Sequence, residues 1–153
     1  MAILDDLDRR LLRQLQADPA ISGAELAEKV GMTAASCWRR VERLSSTGVI
    51  CGRRAIIDWT AMGYAVEVSL RVTLEKTDPR AFDNMIAAAR EVPEITEIQT
   101  FLGRVDVRLV VIARDMAHYQ EVYRRRILAL PHIADIEALM LVATVKSEQR
   151  LPL

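Results

Sequence analysis

Five arginines crowd one short part of this 153-residue chain. Between Thr33 and Arg54 stand Arg39, Arg40, Arg43, Arg53 and Arg54, opposed by a single acid, Glu42. The whole chain is neutral, with 21 basic and 21 acidic residues. It is therefore no generic binder of polyanions, and the local excess suits a focused contact with phosphate. The spacing sharpens this reading. At roughly 100° per residue, a helix opening after Thr33 gathers Ala34, Cys37, Val41 and Leu44 on one face. Ala35, Ser36, Arg39 and Arg43 gather on the other. A helix entering the DNA major groove needs that arrangement: small side chains permit approach, and arginines reach guanine edges or phosphates. Trp38 and Arg40 flank the apolar stripe. Trp38 reads as a packing residue. Arg40 is shared between two readings, contact with DNA and pairing with helix one or the surroundings of Glu42. The expected contact set is Thr33, Ser36, Arg39, Arg40 and Arg43, against the plain alternative of a solvated helix face.

The elements that must position this helix are legible around it. Leu4, Leu7, Leu11 and Leu15 recur at helical spacing, with Asp5 placed to cap the first turn. Ala17-Asp18-Pro19 ends that helix. Ser22 and Glu25 form a capping box for a second, whose apolar face is Leu26, Ala27 and Val30. Gly31 can take the left-handed position that closes it, and Thr33 caps the third helix two residues later. Two short helices joined by a tight glycine-containing turn are a helix-turn-helix unit.

From Val49 to Asp58 the chain reads as an extended linker or short strand, and Gly63 marks a boundary. Beyond it, Tyr64, Val66, Val68, Leu70, Val72 and Leu74 alternate with polar residues as in a half-buried strand. Asp78-Pro79 opens a helix carrying Phe82, Met85, Ile86 and Ala89. A strand from about Ile95 to Leu102, a turn at Gly103-Arg104 and an alternating strand through Val105, Val107, Leu109 and Val111 follow. Asp115 caps a last helix, and a strand runs from about Ile136 to Val145. This order predicts an α+β chain: a winged-helix-like helix-turn-helix domain over residues 1–50, a linker over 51–63, and a ferredoxin-like βαββαβ domain over 64–153. The sheet's second face, made partly polar by Arg71, Arg108 and Glu137, is expected to be covered in part by another subunit.

Other chemistry is scarce. Just over half the residues are apolar, enough for packed cores. Cys37 and Cys51 have no Cys-x-x-Cys partner, and His118 and His132 lie far from both, so no disulfide framework, metal site or cofactor is expected. No nucleophile, base and orienting group stand together, and the expectation is a protein that is not an enzyme. The start lacks a signal-peptide pattern and no apolar run is long enough to span a membrane, which predicts a cytoplasmic protein with no membrane partner. The rival class is a ferredoxin-like small-molecule-binding assembly protein, or an enzyme, without DNA binding.

Taken together, several motifs resemble the leucine-responsive regulatory protein/AsnC family of regulators. They are Leu4-Asp5-x-x-Asp8 with Leu11-Leu12; Glu25-Leu26-Ala27-x-x-Val30-Gly31-Met32-Thr33; and Cys37-Trp38-Arg39-Arg40-Val41-x-Arg43-Leu44 followed by Gly48-Val49-Ile50. Gly103-x-x-Asp106 and Leu130-Pro131-x-Ile133 complete the set. The resemblance implies a sequence-specific regulator of transcription that binds double-stranded DNA. It implies a homodimer that builds higher oligomers such as octamers, with an amino acid or related small-molecule effector held where dimers meet. Carried over by position, the effector site comprises Gly103, Arg104, Asp106, Ile136 and Ala138. Gly103 would allow close backbone approach in a turn that favours positive φ, and Asp106 would point away from the valines to hold an ammonium group. The family pattern of two threonines at the start of the last strand is replaced here by Ile136 and Ala138. That change points to a more apolar effector, a different one, or none.

Overall fold

A computed structural model describes residues 4–147 and 151–153. The chain divides into two compact units: residues 1–56 with 147–153, and residues 57–146. In the first, α1 (Asp6–Ala17) opens with a capping box built from two aspartates. The Asp8 amide donates to the Asp5 carboxylate at 2.8 Å, and the Asp5 amide donates to Asp8 Oδ2 at 3.2 Å. In α2 (Gly23–Val30), Ser22 and Glu25 pair in the same reciprocal way. That helix ends at Gly31 with φ 71°, a left-handed conformation a side chain would strain. The Thr33 hydroxyl then accepts from the Ser36 amide to start α3 (Ala34–Ser46). Leu11, Leu26, Val30, Cys37 and Leu44 form the buried centre. Ala34, expected on the packing face, is exposed, and the buried part of α3 begins at Cys37. No strand forms among the described residues between Gly48 and Gly63; Val49 and Ile50 pack on the core and the rest is an exposed linker.

The last residues lie with this first unit rather than with the sheet. The Leu151 amide donates to Gln16 Oε1 at 2.6 Å, the Gln16 amide nitrogen donates back to the Leu151 carbonyl at 3.4 Å, and Leu153 rests against the helical core.

The second unit is the expected four-stranded antiparallel sheet. Its strands are β1 (Val66–Leu74), β2 (Ile95–Thr100), β3 (Val107–Ala113) and β4 (Ile133–Met140), in the order β2-β3-β1-β4. Between them run α4 (Ala81–Arg90) and α5 (Met116–Val122), the latter continuing into a π-helical turn over Tyr123–Ile127. Val68, Leu70, Val72, Val107, Leu109 and Val111 point to one face and are buried with Met85, Ala89, Val122 and Ile127 of the helical segments. The opposite face is polar at its centre: Arg71 lies across from Arg108 on one side and Glu137 on the other, and its guanidinium meets Glu137 at 3.4 Å.

Several details differ from expectation, among them a β2 that ends at Thr100 and a β3 that begins at Val107. The Asp78 carboxylate accepts from the Arg80 amide in a local turn, so it does not cap the helix; α4 starts at Ala81 and leaves Phe82 partly exposed. β4 starts earlier and stops at Met140 because β1 is its only partner strand among the described residues. Leu141 makes the final bond to the Glu67 carbonyl, and β1 itself begins one residue before Glu67. Gly103 is not among the positive-φ glycines, so the turn does not depend on it for that reason.

Candidate functional site

The third helix carries its charges as a network. Asp8 is the only charged side chain that the fold buries among the described residues, with no exposed surface. Its Oδ1 accepts from Arg40 Nη1 at 2.8 Å and from Arg43 Nη2 at 2.6 Å, and its Oδ2 also meets Arg43 Nη2 at 2.6 Å. Arg40 Nη1 reaches Asp5 Oδ2 at 2.6 Å as well. Burial alone would push the Asp8 carboxyl up; the hydrogen bonds from Arg43 and Arg40 outweigh it and hold the group below the usual aspartate range. Asp5 is lowered too, first by the Asp8 backbone N–H and then by Arg40. The Arg40 guanidinium is held protonated ever more firmly by these two carboxylates, Asp5 first.

This geometry corrects the placement of one residue and gives another its partners within the fold. Arg43, read from the helical wheel as facing wholly away from the packing, reaches back to the buried Asp8 because a long side chain can bridge the angle that separates the two faces. Arg40 pairs with helix one, and its contacts are Asp5 and Asp8. Arg39 has no hydrogen-bond or ion-pair partner among the described residues and projects to solvent. Trp38, read as packing, is 67% exposed and forms the rim of a shallow apolar cleft with Ile21, Val41 and Arg53. From the sequence Asp5 is legible as a cap, and Asp8 as one position of a motif with no partner assigned. The i, i+3 carboxylates on one side of helix one were the signal that arginines could be tethered there.

The second group of residues sits at one end of the sheet. Asp106 does leave the packing face, as its alternation predicts, yet its carboxylate is already engaged. Its Oδ2 accepts from the Leu74 amide at 2.9 Å and its Oδ1 lies 3.4 Å from Lys76 Nζ, with 16% of the side chain exposed. The Asp106 amide donates to the Val72 carbonyl, so this residue closes the end of β1. A small cleft of about 220 Å³ opens beside it, lined by Leu74, Lys76, Asp78, Phe82 and Asp106. Ile136 pairs with Val72 from β1's other side and packs against the core, and Ala138 lies across from Leu70 and is exposed. Asp106 and Ile136 thus flank β1 from opposite edges. Arg104 is exposed, and its carbonyl accepts from the Thr73 hydroxyl at 3.2 Å. A side chain at Gly103 would meet open space. Elsewhere, Cys37 is buried and burial pushes its thiol up. His118 is bonded through its amide to Asp115, and His132 stands immediately before β4 at φ 61°. Among the described residues, no cluster of three His, Cys, Asp or Glu could hold a metal, and no helix is long and apolar enough to cross a membrane.

A capped helix pair presenting arginines, joined to a separate ferredoxin-like unit, defines a class: DNA-binding regulators with a ligand-binding domain. Residues 4–45 match the AsnC-type helix-turn-helix domain and residues 67–151 match the Lrp/AsnC ligand-binding domain. The chain belongs to the Lrp/AsnC family of transcription regulators. It is 32% identical to the leucine-responsive regulatory protein of Salmonella typhimurium over 97% of this chain and 90% of that one. Among solved structures it resembles an AsnC family transcriptional regulator from Agrobacterium tumefaciens, with TM-score 0.88 and 32% identity over 97% of both chains. It shares its fold with a Neisseria meningitidis transcriptional regulator solved in complex with L-methionine, with TM-score 0.91 and 23% identity over 98% and 97% of the two chains.

Proposed function

We propose that α3 is the recognition helix of this regulator, with Thr33, Ser36, Arg39, Arg40 and Arg43 as its DNA-contacting residues, and that an amino acid modulates it in the cytoplasm. The observation that carries this reading is the split of α3. Cys37 and Leu44 are buried, while Ala35 and Arg39 are exposed on the outer face. Small residues followed by an unpaired guanidinium fit a major groove and its guanine edges. Selection of bound duplexes from a random pool tests it. A homodimer would enrich a pseudo-palindrome with half-sites spaced by about one helical turn or a multiple of it. Failure to enrich any motif would remove the claim of sequence specificity.

The effector-binding region in this proposal is the Gly103–Asp106 turn with Arg104, together with Ile136 and Ala138 on β4, across β1 from it. The cleft beside Asp106 is lined by three acids, Glu75, Asp78 and Asp106, by one ammonium, Lys76, and by the apolar flank of Phe82 and Leu74; the acidic excess suits an ammonium-bearing molecule with an apolar side chain. Exposed Leu139, Met140, Leu141 and Val142 at the edge strand and just beyond it support a homodimer and higher oligomers such as an octamer. A thermal-shift screen of the amino acids checks the effector, since a ligand that binds only the folded state raises the melting temperature. Sedimentation checks the assembly; a monomer at micromolar concentration would sink it.

A further inference from the structure

We propose that Asp8, from beneath the recognition helix, positions Arg40 and Arg43 as a two-guanidinium cradle for a single DNA backbone phosphate. This rests on the DNA-binding reading above and adds a division of labour to it: Arg40 and Arg43 hold the backbone, and base reading falls to residues further out on α3.

An open depression of about 350 Å³ lies over the network, lined by Asp5, Ser36, Arg39, Arg40 and Arg43. Arg40 donates to the carboxylates through Nη1 alone and Arg43 through Nη2 alone. Each guanidinium therefore keeps further N–H groups uncommitted among the described residues. Both side chains remain partly exposed, at 25% and 46%. Arg40 and Arg43 balance Asp5 and Asp8 in charge, and Arg39 at the rim leaves the depression as a whole one net positive charge, which favours an anionic backbone over it.

The buried carboxylate has a clear physical role here. A carboxylate this buried adds little net stability over an apolar residue of similar size. What it supplies is direction. A free arginine loses rotamer freedom when it binds phosphate. Arg40 and Arg43 gave theirs up on folding, because Asp8 fixes both and Asp5 fixes Arg40 a second time. Asp8 touches no DNA in this scheme and is a positioning residue.

The two roles open to these carboxylates predict opposite signs. Asp8→Asn and Asp5→Asn each remove a negative charge from the DNA-facing unit. If charge alone governs binding, both variants bind duplex DNA more tightly. If the carboxylates position the arginines, both bind more weakly, by about three- to tenfold, and the slope of log affinity against log salt falls by about 0.9 for each phosphate no longer neutralised. The assay is fluorescence anisotropy of the full chain with a labelled duplex of arbitrary sequence, since phosphate contacts carry no sequence information. Circular dichroism of each variant at the assay temperature separates a failure of positioning from a failure of folding. Should Asp8→Asn unfold, Asp5→Asn carries the test, because Asp5 is half exposed and asparagine caps a helix as well as aspartate does. Binding by folded Asp5→Asn that is unchanged or tighter, or an unchanged salt slope, overturns the proposal. A wild-type chain that binds no duplex at low salt would instead remove the DNA-binding reading, and the cradle with it.

Discussion

Asp8 and Arg43 stand 35 residues apart in the chain, and in the folded unit the Arg43 Nη2 atom lies 2.6 Å from both oxygens of the Asp8 carboxylate. The contact ties the first helix to the third through the one charged group the described fold buries. It also splits the arginines of α3 into two kinds, those held by the fold and those free of it.

Arg39 and Arg43 should therefore respond differently to alanine. Arg39→Ala should leave urea unfolding unchanged and weaken specific DNA binding by about 1–3 kcal/mol, the worth of a base contact. Arg43→Ala should weaken DNA binding and also lower stability by about 1–3 kcal/mol, because Asp8 loses one of its two guanidinium partners. Equal urea midpoints for the two variants would contradict the network.

Acid should act on the same group. The folded carboxyl of Asp8 titrates below its ordinary value of 3.8. A depressed carboxylate stabilises the fold fully above the unfolded value, and that contribution is lost as pH falls through the lower, folded one. Stability of the helical unit should hold down to about pH 4 and decline below it. Asp8→Asn, if folded, should flatten that decline. An acid transition identical in wild type and variant would assign the acid sensitivity to other carboxylates.

Asp106 has a structural duty that alanine would expose. Asp106→Ala leaves the Leu74 amide without its acceptor and should cost about 1–3 kcal/mol. Asp106→Asn keeps an oxygen for that amide and discards the charge. If the carboxylate holds an effector's ammonium group, the asparagine variant should fold normally and lose its calorimetric response to amino acids. A retained response would place the ammonium elsewhere.

The end of the chain should contribute to the helical unit. Removing residues 151–153 deletes the reciprocal bonds between Leu151 and Gln16 and the packing of Leu153 on the core. A loss of about 1 kcal/mol is expected, since these bonds are exposed and compete with water. Thermal unfolding of the truncated and full chains measures it, and coincident melting curves would show that the docking contributes nothing.

The sequence by itself determined the local events. Asp5, Ser22, Thr33 and Asp115 cap helices because a short polar side chain can satisfy the free N–H groups of a first turn, and that is decided within four residues. The strict alternation of Val66 to Leu74 determined a half-buried strand for the same local reason. The motifs carried the family, whose separate parts are spread along the whole chain. Only the tertiary structure decided where long side chains end. A helical wheel gives the direction of a Cα–Cβ bond, but Arg43 has a flexible stem, and the position of Asp8 on another helix settled its direction. The end of β4 was likewise settled by the length of β1, since a strand lasts only while a partner supplies hydrogen bonds. Asp106 could be placed at a strand start from its neighbours. That its carboxylate braces the Leu74 amide depended on strands that are distant in sequence and adjacent only in the sheet.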